Sequence, residues 1–285
     1  MDFLRPTTWA DALSAKAEHP DAVPIAGGTD LMVGLNFGRT PPPAMLDLTA
    51  LPELRGWERD NGHVVIGANL PYARIIAELS DECLALAIAS RTVGSPQIRN
   101  RGTVAGNLGT ASPAGDAHPP LLATGAVVEV ESVRGARSIA IGDFFTGPKR
   151  NALAPDELIR SIRVPVAPGP QQFAKVGPRN AMVIAVCSFA VALDPHSQSI
   201  GTGIGSAGPT PLRAVAAQEL ASDLPWSTRG ALDDDLVLSF SERVAAAASP
   251  IDDVRSSAAY RRHALGVLAG RSLRWVWKSY VEGLT

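Results

Sequence analysis

Hydrophobic and polar positions change rhythm several times along this chain, and each change marks an element. Thr8-Trp9-Ala10-Asp11 reads as a capping box, and the helical spacing that follows stops at His19-Pro20. An apolar run at 22–25 leads straight into Gly27-Gly28, and another at 44–48 follows Pro41-Pro42-Pro43; both read as strands. Residues 54–58 and 63–68 flank Asn61-Gly62, a strong hairpin signal. Helical patterns follow at about 71–79 and 82–92.

From 93 to 120 no period of 2 or 3.6 persists, and glycine, proline, serine and asparagine dominate. The stretch reads as one long irregular loop, and loops of that length in compact domains tend to be functional. Strands resume at 126–131 and 137–141 with a turn at Arg134-Gly135. Pro165-Val166-Ala167-Pro168-Gly169-Pro170 marks a domain boundary. Beyond it lie strand patterns at 172–176, 182–193 and 199–207, then helical patterns at about 211–221, 235–248 and 257–281. Strands followed by helices, without strict alternation, predict an α+β fold rather than a doubly wound sheet.

Composition narrows the function. The 285 residues are 46% hydrophobic and 19% charged, with a formal net charge of −2, as in an ordinary globular protein. No clustered basic face points to nucleic acid; Arg255, Arg261, Arg262, Arg271 and Arg274 are spread through a helical pattern and read as a solvated face. The apolar stretch 181–193 is too short to span a bilayer and contains Ser188, and the N-terminus reaches Pro6 before any signal-type run begins. No membrane span and a cytoplasmic location are the expectation. Iron–sulfur clusters and structural zinc sites normally take about four Cys/His ligands. This chain has Cys83 and Cys187, in apolar surroundings, and five scattered histidines, so a metal centre of its own is not expected.

Two glycine-bearing segments carry the candidate chemistry. In Pro24-Ile25-Ala26-Gly27-Gly28-Thr29-Asp30-Leu31 a strand delivers the chain to two glycines, which tolerate positive φ and close approach of a ligand. Consecutive N–H groups in such a bend form a nest for phosphate oxygens, and Thr29 adds a hydroxyl; the alternative is a plain tight turn after an edge strand. The segment is neither a Walker A loop nor a G-x-G-x-x-G fingerprint. The second segment runs from Val93-Gly94-Ser95 through Arg101-Gly102-Thr103-Val104-Ala105-Gly106-Asn107 to Ser112-Pro113-Ala114-Gly115-Asp116. It offers backbone donors, the hydroxyls of Thr103 and Ser112, the Asn107 amide and the Asp116 carboxylate. A carboxylate accepts two hydrogen bonds at once and suits sugar or ribityl hydroxyls. A nucleotide with a diphosphate is the natural ligand; a structural Ω-loop is the alternative. Arg99 and Arg101 could neutralise pyrophosphate, pair with acids on a partner, or be solvated; a structural or interface role is preferred.

These motifs, with Gly94-Ser95-Pro96-Gln97-Ile98-Arg99-Asn100-Arg101-Gly102-Thr103 at its distance from Ala26-Gly27-Gly28-Thr29-Asp30-Leu31, resemble the medium subunit of the xanthine dehydrogenase and aerobic carbon monoxide dehydrogenase family, the molybdenum hydroxylases. Further matches stand at Thr146-Gly147-Pro148, Leu153-Ala154-Pro155-Asp156-Glu157-Leu158-Ile159, Phe173-Ala174-Lys175 with Arg179, Pro209-Thr210-Pro211-Leu212-Arg213-Ala214 and Ser257-Ala258-Ala259-Tyr260-Arg261, collinear over nearly the whole chain.

The resemblance implies an FAD-binding domain of the vanillyl-alcohol-oxidase (PCMH) type at 1–168, with subdomains about 1–54 and 55–168. A C-terminal domain of the carbon monoxide dehydrogenase flavoprotein type follows at 169–285, pairing an antiparallel three-stranded sheet with helices. It implies pyrophosphate against Pro24, Ile25, Ala26, Gly27, Gly28, Thr29, Asp30 and Leu31 and against Thr103, Val104, Ala105, Gly106 and Asn107. Val93 would flank the flavin, Asp116 would hold cofactor hydroxyls, Ile159 would pack nearby, and Lys175 would reach the flavin's polar edge. A cation there would stabilise a reduced, anionic ring; the alternative is a solvated lysine. Where the family commonly has two adjacent glycines this chain has Ala105-Gly106. That costs about 1 kcal/mol if position 105 needs positive φ, and would push the diphosphate outward if it needs close approach.

The implied function is electron transfer. A small subunit with [2Fe–2S] clusters delivers electrons to FAD on this chain, and a large molybdenum-cofactor subunit performs the hydroxylation, in a dimer of heterotrimers. No catalytic residue for the organic substrate is expected on this chain. The alternatives are a self-sufficient PCMH-fold flavin oxidase or reductase, for which His118 is the nearest histidine, and a structural subunit that has lost FAD.

Overall fold

The computed structural model describes residues 1–283. Strand β1 (Asp2–Leu4) precedes helix α1 (Trp9–Glu18), whose N-cap Thr8 accepts the Asp11 N–H at 3.1 Å. Strand β2 (Val23–Ile25), helix α2 (Leu31–Asn36) and strand β3 (Ala44–Asp47) follow, and β1, β3 and β2 form a small parallel sheet in that order. Strands β4 (Trp57–Asp60) and β5 (His63–Gly67) are joined by Asn61 (φ 47°) and Gly62 (φ 77°). Two successive positive φ angles make a primed turn, whose twist matches that of the strands.

Helices α3 (Tyr72–Glu78) and α4 (Leu84–Thr92) come next, and then three short helices, α5 (Pro96–Arg99), α6 (Val104–Thr110) and α7 (His118–Thr124). The expected long loop at 93–120 is therefore corrected. Ser95 and Thr103 act as N-caps within it, accepting the N–H of Ile98 and Gly106, and each helix is too short to show a period. Strands β6 (Val127–Ser132) and β7 (Gly135–Ala140), helix α8 (Ile141–Phe144), and strands β8 (Phe145–Gly147), β9 (Arg150–Asn151) and β10 (Leu158–Pro165) complete this part. The tight turn lies one residue earlier than expected, at Val133-Arg134. β10 is the middle strand of an antiparallel sheet ordered β4-β5-β10-β6-β7.

Then come strands β11 (Gln171–Val176), β12 (Cys187–Asp194) and β13 (Ser199–Gly205), an antiparallel sheet in sequence order. The strand expected from 182 starts only at Cys187; Met182 has φ 50° and belongs to a loop. The helix expected at 211–221 is instead the single turn α9 (Val215–Gln218) followed by a 3-10 turn. Helices α10 (Asp234–Ala247) and α11 (Ala258–Glu282) cover one face of the sheet. No helix among the described residues is long and apolar enough to cross a membrane.

One core surrounds the five-stranded sheet and includes Leu46, Ile66, Leu108, Val128, Phe144 and Ile162; a second joins Phe189 and Val191 of β12 to Phe240, Leu273 and Trp277 of the last two helices. Each such side chain contributes about 1.5–3 kcal/mol on burial. The cores meet where α7 lies across β13. A Cβ at Gly201 would stand 1.8 Å from the Ala123 carbonyl oxygen, and one at Gly203 would stand 2.0 Å from that of Pro119. Only glycine lets this helix lie so close to the sheet.

Arg261 departs from the solvated helix face expected for the C-terminal arginines. It is 3% exposed, and its guanidinium donates to the carbonyls of Val186 (2.9 Å) and Ser206 (2.8 Å) and to the Asp253 carboxylate (2.5 Å). It ties the start of α11 to the loops at the sheet's end. Arg274, by contrast, is exposed and pairs with Asp234 at the surface.

Candidate functional site

The two glycine segments meet. β2 ends at Ile25, and the chain turns at Gly28 (φ 71°), whose carbonyl accepts the Met32 N–H at 3.0 Å and opens α2. Gly27 lies against the second segment so tightly that a Cβ would stand 2.0 Å from the Arg101 carbonyl oxygen. That second segment is held in turn by the Tyr72 N–H, which donates to the Gly102 carbonyl at 3.0 Å, and by the Thr103 hydroxyl, which accepts the Gly106 N–H at 2.9 Å. Arg99 braces its entry from inside, donating to the carbonyls of Val93 (3.0 Å) and Gly94 (2.9 Å). Arg101 is exposed.

Between and beside these loops run two cavities of about 460 and 380 Å³. Both are bounded by Pro24, Ala26, Asp30, Leu31, Gly106 and Thr110, so together they make a two-lobed trough with those residues at its waist. The first lobe is lined mainly by aliphatic groups, among them Val23, Leu48, Ala105, Leu153 and Ile159, with Lys16, Arg39, Lys149 and Glu157 as charged members of its wall. The second is lined by Ile25, Gly27, Gly28, Thr29, Tyr72, Val93, Thr103, Asn107 and Asp116.

Of the residues singled out from sequence, fifteen border one lobe or both. Val104 and Lys175 do not. Val104 is buried in the first core, and Lys175 stands behind Asp116 with its ammonium 2.6 Å from the Asp116 Oδ2. Ala105 lies within α6 and outside the positive-φ region, so alanine bears no φ strain there.

Tyr72 was not legible from sequence: it belongs to no motif, and only the fold turns it toward the glycine loops. Its hydroxyl is buried without a hydrogen-bond partner, as are the Asn107 Oδ1 and the Asp116 Oδ1. Burial, with the Asp116 charge nearby, pushes the phenol's pKa well up, so it stays a donor. Burial likewise raises the Asp116 carboxyl, opposed by Lys175 and Thr92. A buried polar group left unpaired costs about 1–3 kcal/mol. Three such atoms around one cavity are therefore the signature of a polar ligand, with one donor and at least one acceptor waiting on the protein side.

His118 is fully buried under the second segment, with Nε2 3.3 Å from the Asn107 carbonyl oxygen and its ring 4.6 Å from that of Phe145. Burial holds it neutral, with a pKa pushed down to about 4. It is a packing residue and does not border the trough. Cys83 and Cys187 are buried free thiols whose pKa values burial pushes up to about 12, which makes them poor nucleophiles.

Comparison with known proteins gives a consistent picture. Residues 1–167 match the FAD binding domain in molybdopterin dehydrogenase, and 172–276 match the CO dehydrogenase flavoprotein C-terminal domain. The putative xanthine dehydrogenase FAD-binding subunit XdhB of Escherichia coli K12 is 31% identical over 92% of this chain and 90% of its own length. The nicotinate dehydrogenase FAD-subunit of Eubacterium barkeri is 33% identical over 79% of this chain and 80% of its own. Among solved structures, a chain of the carbon monoxide dehydrogenase from Hydrogenophaga pseudoflava superposes with a TM-score of 0.90 at 26% identity, covering 98% of this chain and 97% of that one.

Proposed function

This chain belongs to the family of FAD-binding subunits of molybdopterin dehydrogenases, and from that premise we propose that the two-lobed trough holds one FAD. The waist carries the reading. It sets the bend at Ala26 against Gly106, with a lobe on either side, which is the outline of a dinucleotide folded about its diphosphate. The residues present fit the group. Neutral glycine-loop backbone suits a diphosphate, and the aliphatic first lobe suits an adenine. In the second lobe the Tyr72 hydroxyl and the Asp116 Oδ1 call for a ligand group that both accepts and donates, and a ribityl hydroxyl does both.

Pro24 to Leu31 with Thr103, Ala105, Gly106 and Asn107 would enclose the diphosphate, Val93 would flank the flavin, Asp116 would accept from cofactor hydroxyls and Ile159 would pack at the adenosine end, while Val104 stays in the core. When bound, FAD supplies the ability to take electrons singly and release them as a pair. The protein's own part is to fix the cofactor's position and keep water from its inner edge.

The chain serves as the electron-transfer subunit of a heterotrimer, in the cytoplasm, with a small [2Fe–2S] subunit as donor and a large molybdenum-cofactor subunit that hydroxylates the substrate; two such heterotrimers associate. The fold is of the vanillyl-alcohol-oxidase (PCMH) type over 1–168, with subdomains about 1–54 and 55–168. The C-terminal unit is 169–285, of which 284 and 285 lie outside the described residues. The two separate cores support that division.

Reduction of the flavin tests the reading. The bound flavin should bleach when the iron–sulfur partner is present and reduced, and stay oxidised when small organic substrates are added to this chain alone. Direct bleaching by such a substrate would favour a self-sufficient oxidase, and a folded but colourless complex would favour a structural subunit.

A further inference from the structure

The buried ion pair behind the trough has a role of its own, which rests on the FAD reading above. Lys175 lies on β11, opposite Ser188 of β12, in the C-terminal sheet; Asp116 lies just before α7, in the other unit. Both side chains are 8% exposed, and the Lys175 ammonium donates to the Asp116 Oδ2 at 2.6 Å and to the Thr92 carbonyl at 3.3 Å. The Thr92 hydroxyl, shared with the Ala89 carbonyl, stands 3.1 Å from the same Oδ2. One carboxylate oxygen is thus fully engaged from behind. The other, Oδ1, is buried, has no protein partner, and belongs to a residue that lines the second lobe.

We propose that Lys175 is a positioning residue that acts on the cofactor through Asp116, holding this carboxylate ionised and turned so that Oδ1 is free for a flavin-side hydroxyl. Because Lys175 comes from the C-terminal sheet, cofactor retention by the first unit depends on the second being docked against it.

Burial raises the Asp116 carboxyl, and the Lys175 ammonium and the Thr92 hydroxyl act against that rise. Asp116 meets Lys175 from β11, the Thr92 hydroxyl at the end of α4, the neutral Tyr72 phenol from α3 and, two residues along, the neutral buried ring of His118. Lys175 is the sole cation among these groups. Burial alone favours the protonated acid, which would replace a charged acceptor by a neutral group and weaken the hold on a ligand hydroxyl that donates to it. Removing Lys175 therefore changes the site as removing the charge of Asp116 does.

The test is a set of FAD titrations on the full-length chain, followed by flavin fluorescence, for the wild type, Lys175→Met, Asp116→Asn and the double variant. The flavin midpoint potential is measured for each. Both single variants should bind roughly tenfold or more weakly. For Lys175→Met the affinity should recover as pH rises and Asp116 ionises, and it should do so at a higher pH than any such change in the wild type. The double variant should bind no more weakly than Asp116→Asn, with the same midpoint potential, because the lysine then has nothing to act through. Additive losses, or a potential that moves when Lys175 is removed in the Asp116→Asn background, would mean that Lys175 touches the flavin directly and overturn the proposal. So would wild-type affinity in Lys175→Met. If Lys175→Met does not fold by circular dichroism, the comparison of Asp116→Asn with the double variant, which leaves no charge buried, separates the same two outcomes. A wild-type chain that takes up no FAD would sink the cofactor assignment and this proposal with it.

Discussion

At Gly27 the smallest side chain is a geometric necessity. A methyl would sit 2.0 Å from the Arg101 carbonyl oxygen, and that neighbour is backbone, which yields only by moving the loop. Gly27→Ala should cost about 1–3 kcal/mol in urea unfolding and open the waist, so that the purified variant retains less FAD per chain than the wild type. His118 gives a prediction in pH. Its pKa falls from 6.5 in the unfolded chain to about 4 in the fold, so between those values the unfolded chain holds a proton that the folded one does not. Its contribution to stability is complete above pH 6.5 and is lost as pH falls toward 4. The wild type should lose about 2 kcal/mol more than His118→Gln between pH 7 and pH 5. Equal losses in the two proteins would show that the ring is not buried neutral.

The caps and glycine contacts of individual helices set the site one level up. Thr103 ends the bend and starts α6 by accepting the Gly106 N–H. Thr103→Ala should lower stability by about 1 kcal/mol and weaken FAD binding, since Gly106 bounds both lobes. Where α7 crosses β13, Gly203→Val would drive a side chain into the Pro119 carbonyl, 2.0 Å from where its Cβ would stand. The expected result is a melting temperature lowered by several degrees and loss of FAD without any change in the trough's own residues. A variant that melts like the wild type would show that the contact between the two units is loose.

Elements with strong local chemistry were legible in the sequence: the Thr8 cap, the Asn61-Gly62 turn and the long final helix needed no tertiary context. β10 was not, although it is the middle strand of its sheet, because a register shift between Ile159 and Ser161 breaks the alternation that announces a strand. The helices between 96 and 124 were hidden by their length and, in α6, by Gly106 and Gly109, which lower helix propensity.

For the whole molecule, the convergence of two bends some seventy-five residues apart in sequence is what makes a site, and their motifs resemble a known family closely enough to anticipate it. The orphaned hydroxyl of Tyr72 and the pairing of Lys175 with Asp116 were beyond reach, because each depends on which side chains the fold brings face to face across separate elements. The family resemblance sets Lys175 at the flavin's polar edge; in the structure its ammonium pairs with Asp116. Alanine at 105 looks costly by comparison with a glycine pair; within α6 it bears no φ strain.

The central claim is that two lobes sharing the wall at Ala26 and Gly106 select a dinucleotide, and competitive titration of the apo chain with FAD, FMN and ADP tests it most directly. Linking two fragments across one waist should make FAD bind about a hundredfold or more tighter than either FMN or ADP alone, at one FAD per chain. FMN binding as tightly as FAD, or ADP failing to compete with FAD at any concentration, would contradict the account.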